Sequence, residues 1–244
     1  MNMFSLRSFK EIKRRRMDQK QIAVEYDNLQ QHGSSSNEYY RNTVKNLRSV
    51  FGKILDMGCG YGGLLLEFGR QNKNIDLYGI DISKKAVDYC KKLGINADIE
   101  NADSMPYPDK TFDLVVMSLV IEHVIDQEKA LNEVYRILKD SGRLLLTTDN
   151  VWWLIMMQIK NIIFPWKPKY RRVQQPINDE FTYGRLRKLL KSCNLKIVQR
   201  ERSGPIAIAD KYLRNFKWTI MLHKRHWIVC NKILAHKKLI DANE

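Results

Sequence analysis

The 244-residue chain has no C-x-x-C pair, no paired histidines near its cysteines, and no uninterrupted apolar run of bilayer length. Its four cysteines, Cys59, Cys90, Cys193 and Cys230, are scattered singly, which argues against a disulfide framework and against a zinc site. A reduced, cytosolic compartment is the simplest expectation. The longest apolar stretch, 151–164, is broken by Gln158, Lys160 and Asn161 and falls short of the roughly 20 residues that a membrane crossing needs. No secretory leader is expected, because Lys10, Lys13, Arg14, Arg15 and Arg16 occupy the first twenty residues, which lack an apolar h-region. There is no internal repeat.

Positive charge is abundant, and its distribution is uneven. Residues 1–50 hold 10 cations against 5 anions, 51–150 hold 12 against 16, and 151–244 hold 20 against 6, so the middle is acidic and both flanks are basic. The basic flanks read either as a solvated surface or as attraction for an anionic acceptor or surface. The length suits one α/β domain with additions rather than two cores.

The stretch Ile54-Leu55-Asp56-Met57-Gly58-Cys59-Gly60-Tyr61-Gly62 carries the strongest local signal. A short apolar strand ends in a carboxylate, three alternating glycines follow, and Leu64, Leu65 and Phe68 continue at helical spacing. Such a loop turns sharply and lets a ligand lie against bare backbone at a helix N-terminus. In a dinucleotide site the glycines are spaced for a pyrophosphate, whereas an acid ahead of the first glycine suits a ligand with positive charge. Ile75–Asp81 reads as a second strand and Ser83 as the cap of a helix running to about Leu93. Asp81, about twenty residues past the loop, has the placement of an acid that accepts both hydroxyls of a ribose; an ordinary strand-end turn is the plain alternative.

With these residues the chain resembles the class I S-adenosylmethionine-dependent methyltransferases, in particular the type 11 small-molecule group. The resemblance covers 51–150 closely and 176–202 more loosely. It implies a Rossmann-like α/β fold, a mostly parallel seven-stranded sheet with an antiparallel last strand and helices on both faces. It implies S-adenosylmethionine as the cofactor and no metal. The segment Ala102-Asp103-Ser104-Met105-Pro106-Tyr107 matches the family's adenine-side loop, with Asp103 as the acceptor from the adenine amine. Carried over together, the donor contacts are Asp56, Gly58, Cys59, Gly60, Tyr61, Gly62, Asp81, Ile82, Ala102, Asp103, Ser104 and Ser118.

A third strand is expected at 97–101, and Leu114–Met117 reads as a central strand buried on both faces. It opens into Glu122-His123-Val124, which matches the family's E-H-V turn on the acceptor side. His123 and Glu122 are the candidate catalytic residues, and His123 can serve as general base for an acceptor hydroxyl; the alternative is that it orders the loop. Leu119 stands where ubiquinone-type O-methyltransferases carry a further glutamate three residues before that pair. The D/N-P-P-Y motif of base-amine methyltransferases and the P-C motif of RNA pyrimidine methyltransferases are missing. A helix with Ala130, Leu131, Val134, Ile137 and Leu138 on one face is expected, then a turn at Asp140-Ser141-Gly142 and a fifth strand at Leu144–Leu146.

Four regions follow from this reading. Residues 1–50 form a basic helical leader, with a break at Gly33–Ser36, that is either a lid or a disordered arm. Residues 51–150 form the donor-binding core. Residues 151–178 form an apolar and basic insertion, read as an acceptor lid, a membrane-interface segment or a packing insertion. Residues 179–244 complete the sheet, with Thr182 capping a helix, a strand at Leu195–Val198 and a last antiparallel strand at 233–237. The expected activity is O-methylation of a small, glycan or lipid-linked acceptor. An anionic membrane surface is a possible partner, which would make the protein peripheral at the inner membrane face. A nucleic-acid reading would need Trp152, Trp153, Trp166, Trp218 and Trp227 to stack on bases.

Overall fold

The computed structural model describes residues 19–29, 37–45, 47, 50–164, 166, 177–203 and 225–233. Among the described residues, two helices, α1 (Gln19–Leu29) and α2 (Asn37–Lys45), precede the sheet. Then come β1 (Gly52–Met57), α3 (Gly63–Gln71), β2 (Ile75–Asp81), α4 (Lys84–Lys92), β3 (Asn96–Ile99) and β4 (Phe112–Ser118). After a 3₁₀ turn at Ile121–His123 follow α5 (Gln127–Ile137), β5 (Leu138–Asp149), α6 (Val151–Ile163), α7 (Tyr183–Ser192), β6 (Leu195–Ser203) and β7 (Arg225–Lys232). They build one seven-stranded sheet in the order β3-β2-β1-β4-β5-β7-β6, in which only β7 runs against its neighbours.

Alternation along the strands divides the core between two faces. Leu55, Met57, Val115, Met117, Leu144 and Leu146 point to the side covered by Leu131, Val134 and Ile137 of α5 and Leu186 and Leu190 of α7. Ile54, Leu114, Val116 and Leu145 point to the other side, against Leu64 and Phe68 of α3 and Val44 of α2. Both faces are therefore dry, which explains why the central strands read as continuous apolar runs. Helix starts follow their caps: the side chains of Ser83, Asp126, Asn150 and Thr182 accept the N–H groups of Ala86, Lys129, Trp152 and Arg185.

Several expected boundaries move. The last strand among the described residues is Arg225–Lys232; of the stretch 233–237 only Ile233, which follows that strand, lies within the described residues. The strand between β5 and β6 is central, so it takes the unbroken run Trp227-Ile228-Val229-Cys230, all of it buried. Leu138 is not on the α5 face but extended (ψ 138°), starting β5. The turn expected at Asp140–Gly142 is a bulge inside β5: Phe112 pairs with Leu138 and Leu114 with Arg143, so five steps on β5 oppose two on β4. The β3 strand ends at Ile99, and Asn101 instead bridges to Ser104.

Candidate active site

The carboxyl ends of β1, β2, β4 and β5 share one edge of the sheet, and the loops there carry nearly every residue singled out by the sequence. At the end of β1 the glycine loop folds back on β2: the N–H groups of Gly58 and Cys59 both donate to the Ile80 carbonyl, at 2.7 and 3.0 Å. Gly58 has φ +70°, and a Cβ there would lie 2.4 Å from Val120 Cγ2, so only glycine lets this loop close against the β4 loop. The loop then enters α3.

Asp81 is the tie between these pieces. Its Oδ2 accepts from Gly60 N–H at 2.9 Å and its Oδ1 from Ser83 N–H at 2.8 Å, so one carboxylate joins the glycine loop to the start of α4. Ser83, in turn, donates its hydroxyl to Asp27 of α1. Burial holds the Asp81 carboxyl above its ordinary range, opposed by the backbone N–H groups and reinforced by Asp27. Asp56 lies beneath the loop, only 2% exposed, and its Oδ1 has no hydrogen-bond partner among the described residues. Burial first, then the Asp81 and Cys90 charges, push the Asp56 carboxyl well above the usual carboxylate range.

No cation among the described residues is paired with either carboxyl, and burial holds both toward the protonated form. A cationic ligand placed against the loop would draw them toward the ionised form. The residues thus fit a sulfonium or ammonium donor, and they do not suit a phosphate. Ile82 follows Asp81, and Cys59 and Tyr61 are built into the loop. The Tyr61 ring meets Tyr89 of α4 edge-on, with ring centres 5.2 Å apart.

Asp103 stands apart from this centre. It is half-buried in the tight turn after β3, where Ser104 N–H donates to Asn101 O at 3.3 Å and Glu133 of α5 accepts from Met105 N–H at 3.0 Å. Ala102 packs on the main core and Ser104 is exposed.

On the far side of the loop, β4 and β5 end in hydroxyls. Ser118 and Thr147 are register partners with their oxygens 3.3 Å apart, and Tyr39 of α2 reaches both, at 2.7 and 2.9 Å. Leu119 follows in a left-handed conformation, φ +60°, where its N–H donates to Thr147 O. Glu122 is 2% exposed, and its Oε2 has no hydrogen-bond partner among the described residues. Burial raises the Glu122 carboxyl to about 7. His123 is not tied to Glu122; its Nδ1 bonds the Ile177 carbonyl at 2.6 Å, which makes Nδ1 the protonated nitrogen. The Tyr26 ring of α1 stands edge-on to His123 at 6.1 Å, and burial, then the charges of Glu122 and Asp81, push its phenol up.

Tyr26, Asp27 and Tyr39 are therefore contributors that the sequence reading passed over. A tyrosine in a polar helix was the available signal; nothing in spacing tells where it lands. The described parts of the leader pack on the core, with Tyr40 against Gly63 and Val44 in the core beside Phe68.

A protein-family model described as a methyltransferase domain matches residues 55–146. The ubiquinone/menaquinone biosynthesis C-methyltransferase UbiE of Geobacter sulfurreducens is 34% identical over 137 residues, 51% of this chain and 54% of that protein. The UbiE of Cronobacter sakazakii is 36% identical over 103 residues, covering 38% of this chain and 41% of that protein. The chain spans about half the length, or less, of the curated relatives it matches. Among solved structures, a SAM-dependent methyltransferase from Methanosarcina mazei superimposes with a TM-score of 0.58 at 25% identity, over 78% of this chain and 97% of that one.

Proposed function

We propose that the chain, whose residues 55–146 match a methyltransferase-domain model, is a class I S-adenosylmethionine-dependent methyltransferase of the type 11 group that transfers a methyl group to a small acceptor. The observation that carries this reading is the glycine loop held by Asp81, with the buried carboxyl of Asp56 behind it, a pair that a cationic ligand would draw into the ionised form. When bound, S-adenosylmethionine supplies an electrophilic methyl group on a positively charged sulfur. The loop Gly58–Gly62, Asp56, Asp81 and Ile82 would hold it, with Ala102, Asp103 and Ser104 assigned to the base by resemblance.

The work left to the protein is alignment, exclusion of water and removal of a proton from the acceptor. Tyr26 and Tyr39 cover the site from α1 and α2, which limits water access. Glu122, with its carboxyl near 7, is suited to take a proton near neutral pH. His123, oriented by the Ile177 carbonyl, presents Nε2 as the basic nitrogen. Ser118, Thr147 and Tyr39 give a hydroxyl cluster beside the reacting end.

The acceptor we favour is a hydroxyl of a small, glycan or lipid-linked molecule. A second reading is an electron-rich ring carbon, favoured by relatives that carry the name ubiquinone/menaquinone biosynthesis C-methyltransferase. Both need the same base. Nucleic acid is not favoured, because a carboxylate-lined site repels phosphate. Incubation of the chain with methyl-labelled S-adenosylmethionine and fractionated extract tests the proposal: label in a small-molecule or lipid fraction is expected. Label confined to nucleic acid, or absence of donor binding by calorimetry, would overturn it.

A further inference from the structure

The α6 helix leaves the site at Asp149 and Asn150 and presents an apolar face that no other part of the described chain covers. Trp153 and Leu154 turn inward and are buried. Trp152, Ile155, Ile159, Ile162 and Ile163 are all exposed, Ile162 by 78%. At 3.6 residues per turn these five fall within an arc of about 100°, with Gln158 and Lys160 at its borders. Phe164 and Trp166 extend the surface, their rings 5.7 Å apart, with Trp166 exposed by 75%. An isolated exposed isoleucine is ordinary; a continuous stripe of this kind marks an interaction surface.

Charge decides what it meets. From Val151 to Asn178 the sequence carries Lys160, Lys167, Lys169, Arg171 and Arg172 and no acidic residue, and 151–244 as a whole holds 20 cations against 6 anions. A second copy would bring two such surfaces together and repel itself. An anionic bilayer satisfies both features, the apolar stripe entering the acyl boundary and each basic side chain near the headgroups adding about 1 kcal/mol. Thirteen residues make a helix of about 20 Å, short of the roughly 30 Å hydrocarbon core, and no helix of the described residues is long and apolar enough to cross a membrane. We propose that α6 lies in the plane of an anionic lipid surface and seats the acceptor end of the site on it. Since Asn150 caps α6 directly after β5, whose last residues are Thr147, Thr148 and Asp149, an acceptor dissolved in the lipid would enter beside them. The part of this that concerns acceptor entry rests on the methyl-transfer reading; lipid attachment does not.

The test is flotation of the full chain with vesicles of phosphatidylcholine alone and of phosphatidylcholine with phosphatidylglycerol, compared with Ile159→Glu/Ile162→Glu. Both isoleucines are exposed, so the variant keeps its fold, checked by circular dichroism and by calorimetric affinity for S-adenosylmethionine. The wild type is expected to partition at least tenfold better into the anionic vesicles, and the variant to lose at least tenfold of that. Failure of the wild type to float, or equal flotation of the variant, overturns the proposal, the latter reducing binding to adsorption of a basic chain. A dimer in sedimentation velocity that the variant dissolves, without vesicle binding, also overturns it and gives the face to a second copy. Loss of donor binding with intact flotation would sink the methyl-transfer reading and leave this one standing.

Discussion

The Tyr39 hydroxyl lies 2.7 Å from Ser118 Oγ, a bond that spans 79 positions of sequence and fixes a leader helix to the end of a central strand. Thr147 shares that hydroxyl, and Arg225, itself paired with Asp149, lies over the Tyr39 ring at 4.6 Å. Tyr39→Phe is expected to cost about 1 kcal/mol of stability, the size of a lost hydrogen bond between neutral groups. Donor affinity should be unchanged and kcat/KM for the acceptor should fall. Calorimetric titration beside steady-state rates separates the two; an equal loss in both would place Tyr39 at the donor end instead.

Asp81 holds the loop and the α4 start with two different oxygens, so neither can be replaced by an amide nitrogen without setting donor against donor. Both Asp81→Asn and Asp81→Ala are expected to weaken S-adenosylmethionine binding at least tenfold, about 1.4 kcal/mol. Titration calorimetry reads this directly, and unchanged affinity would remove the cofactor assignment.

Glu122 links pH to both rate and stability. Its carboxyl is raised to about 7 by burial, so the folded state holds a proton that the unfolded chain releases near the ordinary glutamate range. Stability is therefore greatest at low pH on account of this group and falls as pH rises from about 4.5 to about 7. Glu122→Gln does not titrate, so its melting temperature should exceed that of the wild type by a margin that widens across this window, on the order of 3 kcal/mol at the upper end. If the carboxylate takes the acceptor proton, the wild-type rate rises with pH through about 7 and the variant loses that limb. A variant with an unaltered pH–rate profile would assign the base to His123.

Two glycines offer a matched pair of alanine substitutions. Gly58→Ala meets Val120 Cγ2 at 2.4 Å in a backbone with φ +70°, and should destabilise by about 1–3 kcal/mol. Gly184→Ala, in α7, meets nothing within 4 Å. It should be neutral or stabilise by up to about 1 kcal/mol. Thermal melts of the two variants check both signs.

How much of this was legible in the chain depended on whether the signal was local. The β1 strand, the glycine loop, β2 and the Ser83 cap follow from neighbouring residues, and the structure has them within a residue or two of the sequence reading. The placement of Asp56 and Asp81 at the ends of neighbouring strands was legible as spacing, yet the bonding of Asp81 to Gly60 and Ser83 was not, because it depends on how the loop folds back. The bulge at 139–142 reads as a turn in sequence, since Asp-Ser-Gly is turn chemistry and only the pairing with β4 keeps it in a strand. Tyr26 and Tyr39 gave no sign of their placement, which is fixed by contacts 97 and 108 positions away, to His123 and Thr147. Trp227–Cys230 did carry the apolar run of a central strand, but its basic neighbours made it look like a tail.

The long reach of Tyr39 also orders the events by which the chain acquires its shape. The leader is the first part of the described chain to emerge from the ribosome, but its partners Thr147 and Arg225 come 108 and 186 positions later. Contacts of that separation are slow to form, because the loop between them must close first. The contacts of Tyr39 with Thr147 and Arg225 are therefore expected to form later than that of α1 Asp27 with Ser83, 56 positions away. In the unfolded chain the Asp56 and Asp81 carboxyls are hydrated and ionise in the ordinary range. The burial that raises them, and that a cationic ligand would offset, thus comes into being only in the finished fold.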